Sequence, residues 1–193
     1  TRRLNPPPEP MSALAAGVAL FIALHLLPMA RGAARASLTR ILGETPYRAV
    51  FAVGALVAVG LMVWGWRSAP VVPVYTVPPS IAWLGTALAF ASVVLFLSSV
   101  YPSRLRRWVR HPQLAAVVLW SCGHLLHGAA LHSLVLFGGL GAWALTWVVV
   151  EGWGPPKSTR VVPLHLDLLG LSVSVLAAVI VGWLHGLVHG NLL

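Results

Sequence analysis

Eight histidines and a single cysteine carry most of the ligating chemistry in this chain, against only four carboxylates in 193 residues. Two of the histidines stand apart by position. His124 lies inside Trp108–Gly139, where an Arg-His-Pro corner opens an apolar helix that turns through Gly128 into a second apolar helix. His25 interrupts the apolar run from Met11 to Pro28. An ionisable side chain inside a membrane helix is costly, so it faces the protein interior and has a task there. No carboxylate stands near either residue to neutralise an imidazolium. Each is therefore read as a neutral imidazole, whose nitrogen lone pair can bind iron, and b-type haem is the cofactor most commonly held by histidines in a helical membrane bundle.

The other histidines have plainer readings. His111 is expected to cap the helix that follows it, and His165 with Asp167 to do the same near the last helix. His127, His132, His185 and His189 fall together on the opposite side, with His185 and His189 spaced i, i+4, as a candidate metal site without a carboxylate. Cys122 is alone, so an intrachain disulfide and a cysteine-based zinc or iron–sulfur site are excluded. It reads as a small buried apolar residue.

These side chains need elements to hold them, and composition names the solvent of those elements. The chain is 58% hydrophobic and 9% charged. Several apolar runs are long enough to cross a hydrocarbon core of roughly 30 Å. The expected fold is an all-α integral membrane helical bundle of about six transmembrane helices: Met11–Pro28, Tyr47–Trp66, Ser80–Tyr101, Gln113–His127, Leu131–Val150 and Leu168–Leu187. Between the first two, Arg31, Arg35 and Arg40 alternate with Ala and Leu, a pattern that fits a short amphipathic helix lying at the interface. The segment 69–79 holds too many prolines to span, and 153–163 is a second loop. Residues 1–10 read as a disordered leader, and 11–193 as one transmembrane domain.

A net charge of +9 raises the question of nucleic acid. Its arginines lie in short loops between apolar runs rather than on one soluble face with aromatics between them, which excludes that class. Their distribution gives a topology instead. Arg31–Arg48, Arg104–Arg110, Lys157 and Arg160 share one side, against Arg2, Arg3 and Arg67 on the other. The positive-inside rule then places both termini outside the cytoplasm.

Arg110-His111-Pro112-Gln113, Trp120, His124-Leu125 and Leu136-Phe137-Gly138-Gly139 together resemble the signature of the NnrU family, bacterial membrane proteins linked to denitrification. His25, Pro28, Arg31, Gly43-Glu44 and Tyr47-Arg48 resemble the opening of the same family. The domain is shared by the plant and algal 15-cis-zeta-carotene isomerase. The resemblance implies a haem b protein of the bacterial inner membrane with axial histidines mapping onto His25 and His124. In a straight, upright arrangement those two differ in depth by roughly 10 Å, which tilt or a later start of the first helix would have to close; if His25 is not the second ligand, His185 is the next candidate. Haem propionates need cationic partners at the membrane boundary, and Arg48 and Arg110 begin spans there, with His111 at the same corner.

Three functions follow from these residues. As an accessory protein, the haem or the fold serves production or maturation of nitrite and nitric oxide reductases, with a respiratory reductase assembly partner. As an isomerase, the haem acts on an apolar polyene substrate drawn from the lipid bilayer. As a methyltransferase, the Arg-His-Pro corner helps bind S-adenosylmethionine. That class continues with Tyr two residues after the proline and has acidic residues downstream, whereas here Leu114 follows and the last span has no Glu.

Overall fold

The computed structural model describes residues 9–26, 33–101, 103–152 and 162–189. It is mostly helical: α1 Glu9–Leu26, α2 Ala33–Leu42, α3 Glu44–Ser68, α4 Pro79–Ser98, α5 Pro112–Leu125, α6 Leu131–Glu151 and α7 Leu164–His189. Two short extended segments, Pro73–Tyr75 and Ala129–Ala130, and a 3-10 turn at Arg104–Arg107 complete the described elements. Prolines stand in the first turns of α1, α4 and α5, where the missing N–H would have had no helical acceptor.

Four helices, α3, α4, α6 and α7, are long and apolar enough to cross a membrane. Helices α1 and α5 have 18 and 14 residues, or roughly 27 and 21 Å of rise. Of the expected leader, residues 1–8 lie outside the described residues, while Glu9 and Pro10 already belong to α1. The expected interfacial helix is α2, with Arg35 and Arg40 exposed on it; Arg31 lies outside the described residues.

The distribution of side chains is that of a membrane protein. Among the most deeply buried residues are Ala58, Ala144, Ser98, Ser121 and Ser174, whereas Val, Leu, Ile and Trp side chains line the outer surfaces of α3, α6 and α7. Small residues at helix contacts let backbones come close, which drives association where the hydrophobic effect between helices is absent. Two of the buried hydroxyls are answered locally, Ser92 donating to the Ala89 carbonyl at 2.6 Å and Ser174 to that of Gly170 at 2.9 Å, whereas the Ser121 hydroxyl is buried without a hydrogen-bond partner among the described residues. Cys122 departs from its expected burial, since it is exposed on α5. As a small, soft, weakly polar side chain it is compatible with an apolar exterior.

The chain divides into two compact units, residues 1–74 with 130–139, and 75–129 with 140–193. In the first, α1 packs along α3. A Cβ on Gly17 would come within 2.8 Å of the Ala58 carbonyl oxygen, and one on Gly65 within 2.6 Å of the Leu14 nitrogen. The start of α6 joins this unit, its Leu131 N–H donating to the Val72 carbonyl at 2.8 Å. From there Leu134–Gly138 winds as a π-turn.

In the second unit, α4 packs against α5 and α7. The α4–α5 crossing is a reciprocal glycine contact: a Cβ on Gly85 would meet the Gly123 carbonyl oxygen at 2.6 Å, and one on Gly123 the Gly85 carbonyl oxygen at 2.8 Å. Where α5 ends, Gly128 turns the chain with φ +98°, a conformation that side chains other than glycine rarely adopt. The Tyr75 hydroxyl donates to the Leu125 carbonyl at 2.7 Å, satisfying one of the acceptors that every helix C-terminus leaves over.

Candidate functional site

His124 lies in the last turn of α5. Its Nδ1 is 2.8 Å from the carbonyl oxygen of Trp120, one helical turn back. A carbonyl can only accept, so Nδ1 carries a proton, and in a neutral ring that leaves Nε2 as the nitrogen with the lone pair, the way a metal-bound histidine is normally oriented. The Trp120 ring lies against it with centroids 5.0 Å apart.

The space in front of this ring is a cleft of about 400 Å³ within the second unit. Its walls are Thr86, Ala89, Phe90 and Val93 of α4, Trp120 and His124 of α5, His127 just beyond it, and Ala178, Val181, Gly182 and His185 of α7. Mostly apolar walls with a few convergent polar groups, at this volume, are the usual makeup of a cofactor or small-molecule site. Three histidines meet in it. His185 stands across from His124, with ring centroids 6.0 Å apart and planes at 88°. The third, His127, is held at the rim, its Nε2 3.3 Å from the Thr86 hydroxyl. The glycine at 85 makes that place possible, because a Cβ there would lie 2.9 Å from the His127 ring.

Two imidazoles bound to opposite sides of one metal, with bonds of about 2.0–2.1 Å, have ring centres roughly 6–6.5 Å apart. The His124–His185 centroid separation of 6.0 Å is close to that figure, and the two rings form a pair rather than a cluster. Among the described residues, no group of three or more His, Cys, Asp or Glu is arranged to hold a metal ion. The four-histidine site expected from the sequence is therefore not assembled among them. His132 belongs to the first unit, 92% buried with its ring edge-on to Trp66 at 4.4 Å, and the His189 side chain lies outside the described residues.

The model of the NnrU protein family matches residues 13–191. The chain belongs to the NnrU family. No curated protein and no solved structure matches it.

The other site residues of this NnrU protein fall into two groups. His25 is in the first unit and repeats the construction of His124: its Nδ1 is 2.8 Å from the Phe21 carbonyl oxygen, so its Nε2 also presents the lone pair. Its surroundings are aromatic, with Phe21 stacked at 4.0 Å and Phe51 edge-on at 5.3 Å. Arg48 is in the same unit, 72% exposed, and its Nε donates to Glu44 at 2.9 Å; Arg35 reaches the same carboxylate oxygen at 3.1 Å. Exposed pairs of this kind contribute little.

Arg110 and His111 stand at the opposite end of α5 from His124. His111 occupies the N-cap position, but its side chain makes no capping hydrogen bond; only its carbonyl does helical work, accepting from Ala115 at 3.0 Å. The Arg110 Nε is buried without a hydrogen-bond partner among the described residues. Asp167 also departs from the expected cap. It sits in the first turn of α7, and its carboxylate accepts the backbone N–H of Arg104 at 2.9 Å. Sequence reasoning missed Thr86 and the meeting of His124 with His127, and it held His185 only as the next candidate after His25. The four-residue spacing of His185 and His189 pointed to a helical face without saying what that face would meet.

Proposed function

We propose that this NnrU protein binds b-type haem through His124 and acts in the bacterial inner membrane in production or maturation of nitrite and nitric oxide reductases. The observation that carries the haem reading is the His124–His185 pair at 6.0 Å across an apolar cleft. The walls around both rings are mostly hydrocarbon, with few polar groups, the makeup of a site that holds an apolar macrocycle. When bound, haem supplies a redox-active iron whose potential depends on its axial ligands and on the polarity around them. The chain's own residues do the rest. The Trp120 carbonyl fixes the His124 tautomer, and Phe90, Val93 and Val181 give a porphyrin apolar walls.

In this reading His124 and His185 would hold the haem, and His25, the partner that the family resemblance implies, is the alternative to His185. The proposed topology has about six spans with the arginine-rich loops inside and both termini outside. An absorption spectrum of the purified protein, oxidised and dithionite-reduced, tests the haem. A Soret band with sharp reduced α and β bands is expected; their absence from protein made in haem-replete cells overturns it. Deletion from a denitrifying host is expected to lower nitrite or nitric oxide reductase activity. Depletion of a 15-cis polyene in a carotenoid-producing host, dependent on His124, would instead establish the isomerase.

A further inference from the structure

A second cavity, of about 250 Å³, lies at the other end of the second unit, where α4 finishes at Ser98 and α7 begins at Leu164. Its lining separates by chemistry. The hydroxyls of Ser98, Tyr101 and Ser103 form one part, Arg104 and Asp167 carry opposite charges, and Leu105, Trp108 and Leu171 are apolar.

The hydroxyls are built into the helix ends. Ser103 donates to the Ser98 carbonyl at 2.9 Å, and Tyr101 OH stands 3.2 Å from the Ser98 hydroxyl and 3.4 Å from that of Ser174. Ser174 already donates to Gly170, so it accepts from Tyr101. Gly170 makes the Tyr101 position possible, since a Cβ there would run into the ring. These bonds tie α4 to α7 and make the cavity a fixed one.

The charges are arranged differently. Arg104 donates its backbone N–H to Asp167 and its Nε to the Val162 carbonyl at 3.3 Å. Among the described residues, the only side-chain ion pairs are those of Glu44, so the Arg104 guanidinium and the Asp167 carboxylate do not neutralise each other. Backbone contacts hold them in place, one cation and one anion on the wall of the same cavity. Trp108, 84% exposed beside it, is of a residue type enriched at the headgroup level of membranes. From the cavity, Leu168, Leu171 and Val175 run along one exposed face of α7.

We propose that this cavity binds the headgroup of a zwitterionic aminophospholipid, with its phosphate on Arg104, its ammonium on Asp167 and an acyl chain along Leu171 and Val175. A guanidinium matches a phosphate through paired N–H donors. The two charges of the headgroup together need the two charges of the wall, which an anionic lipid lacking an ammonium cannot use.

Native mass spectrometry of the full chain released from detergent tests this, titrated in turn with phosphatidylethanolamine, phosphatidylglycerol and inorganic phosphate. Tighter binding of phosphatidylethanolamine is expected, reduced roughly tenfold or more in Arg104→Ala, since charge-assisted contacts carry effects of that order. Asp167→Asn retains an acceptor for the Arg104 N–H, so the loop stays in place while the preference over phosphatidylglycerol disappears. Arg106→Ala, in the same basic loop but outside the cavity, leaves the affinity unchanged. Equal binding of the two lipids by the unaltered chain, or an equal loss in Arg104→Ala and Arg106→Ala, overturns the site in favour of general attraction to basic residues. Displacement of the lipid by inorganic phosphate overturns the lipid assignment. Because haem plays no part in this readout, failure here leaves the spectroscopic test of the cleft untouched.

Discussion

His25 and His124 are the same local device in two different settings. Each stands near the end of an apolar helix, and each has Nδ1 at 2.8 Å from the carbonyl oxygen four residues back. Helix geometry alone produces this contact, because residues i and i−4 lie one above the other. The settings then diverge. Around His25 are two phenylalanine rings; around His124 are Trp120, a second imidazole and a cleft. A helix can prepare a histidine for ligation by choosing its tautomer, but the space in front of the ring and the group across it come from tertiary packing.

Breaking the comparison at His124 should have the largest effect. His124→Ala removes the proposed ligand and opens the cleft, so nearly all haem is expected to be lost on purification, read from the Soret absorbance per protein. Retention of haem would show that the cleft is not the site. Removing a partner is the sharper test. His185→Ala is expected to keep some haem and convert the reduced spectrum from low-spin to high-spin, while His25→Ala keeps sharp α and β bands. The opposite pattern would make His25 the ligand and leave His185 as a cleft wall.

Arg110→Lys retains the positive charge of the corner but loses the guanidinium fork. With the cleft at the other end of α5, roughly 20 Å away, haem retention is expected to stay unchanged; faster haem loss to an apo-acceptor would put a propionate at Arg110 and the haem away from the His124–His185 cleft. Tyr75→Phe deletes the donor to the Leu125 carbonyl at the end of α5. It is expected to cost about 1 kcal/mol, seen as a few degrees in thermal unfolding in detergent, with the haem spectrum preserved. A changed spectrum there would mean that the end of α5 positions His124.

Much of this organisation was legible in the residues. Apolar runs bounded by arginine and proline announced the helices, because length and hydropathy are local properties. His124 stood out for the same reason, as an ionisable residue inside an apolar run with no carboxylate nearby. The opposing His185 was legible only as the next candidate after His25, since its meeting with His124 depends on how α7 lies against α4. The exposure of Cys122 was not legible: the interior here prefers Ala and Ser, so a burial preference learned from water-soluble proteins points the wrong way. The cap expected of Asp167 failed because its carboxylate found a donor in a distant loop, at Arg104, before it reached its own helix.

The reciprocal contact of Gly85 and Gly123 has a consequence for how such a sequence can vary. Each glycine occupies the room that a methyl group on the other helix's partner would need, with carbonyl oxygens 2.6 and 2.8 Å from the missing Cβ atoms. The first alanine at either position therefore forces the two backbones apart and bears nearly the whole penalty. The second enters space already opened and costs little. Changes at the two sites are strongly epistatic, so lineages that cross this barrier would be expected to carry both replacements, while single replacements remain rare. The width of the cleft that His127 rims would then be inherited as a paired character, fixed by two residues that carry no side chain.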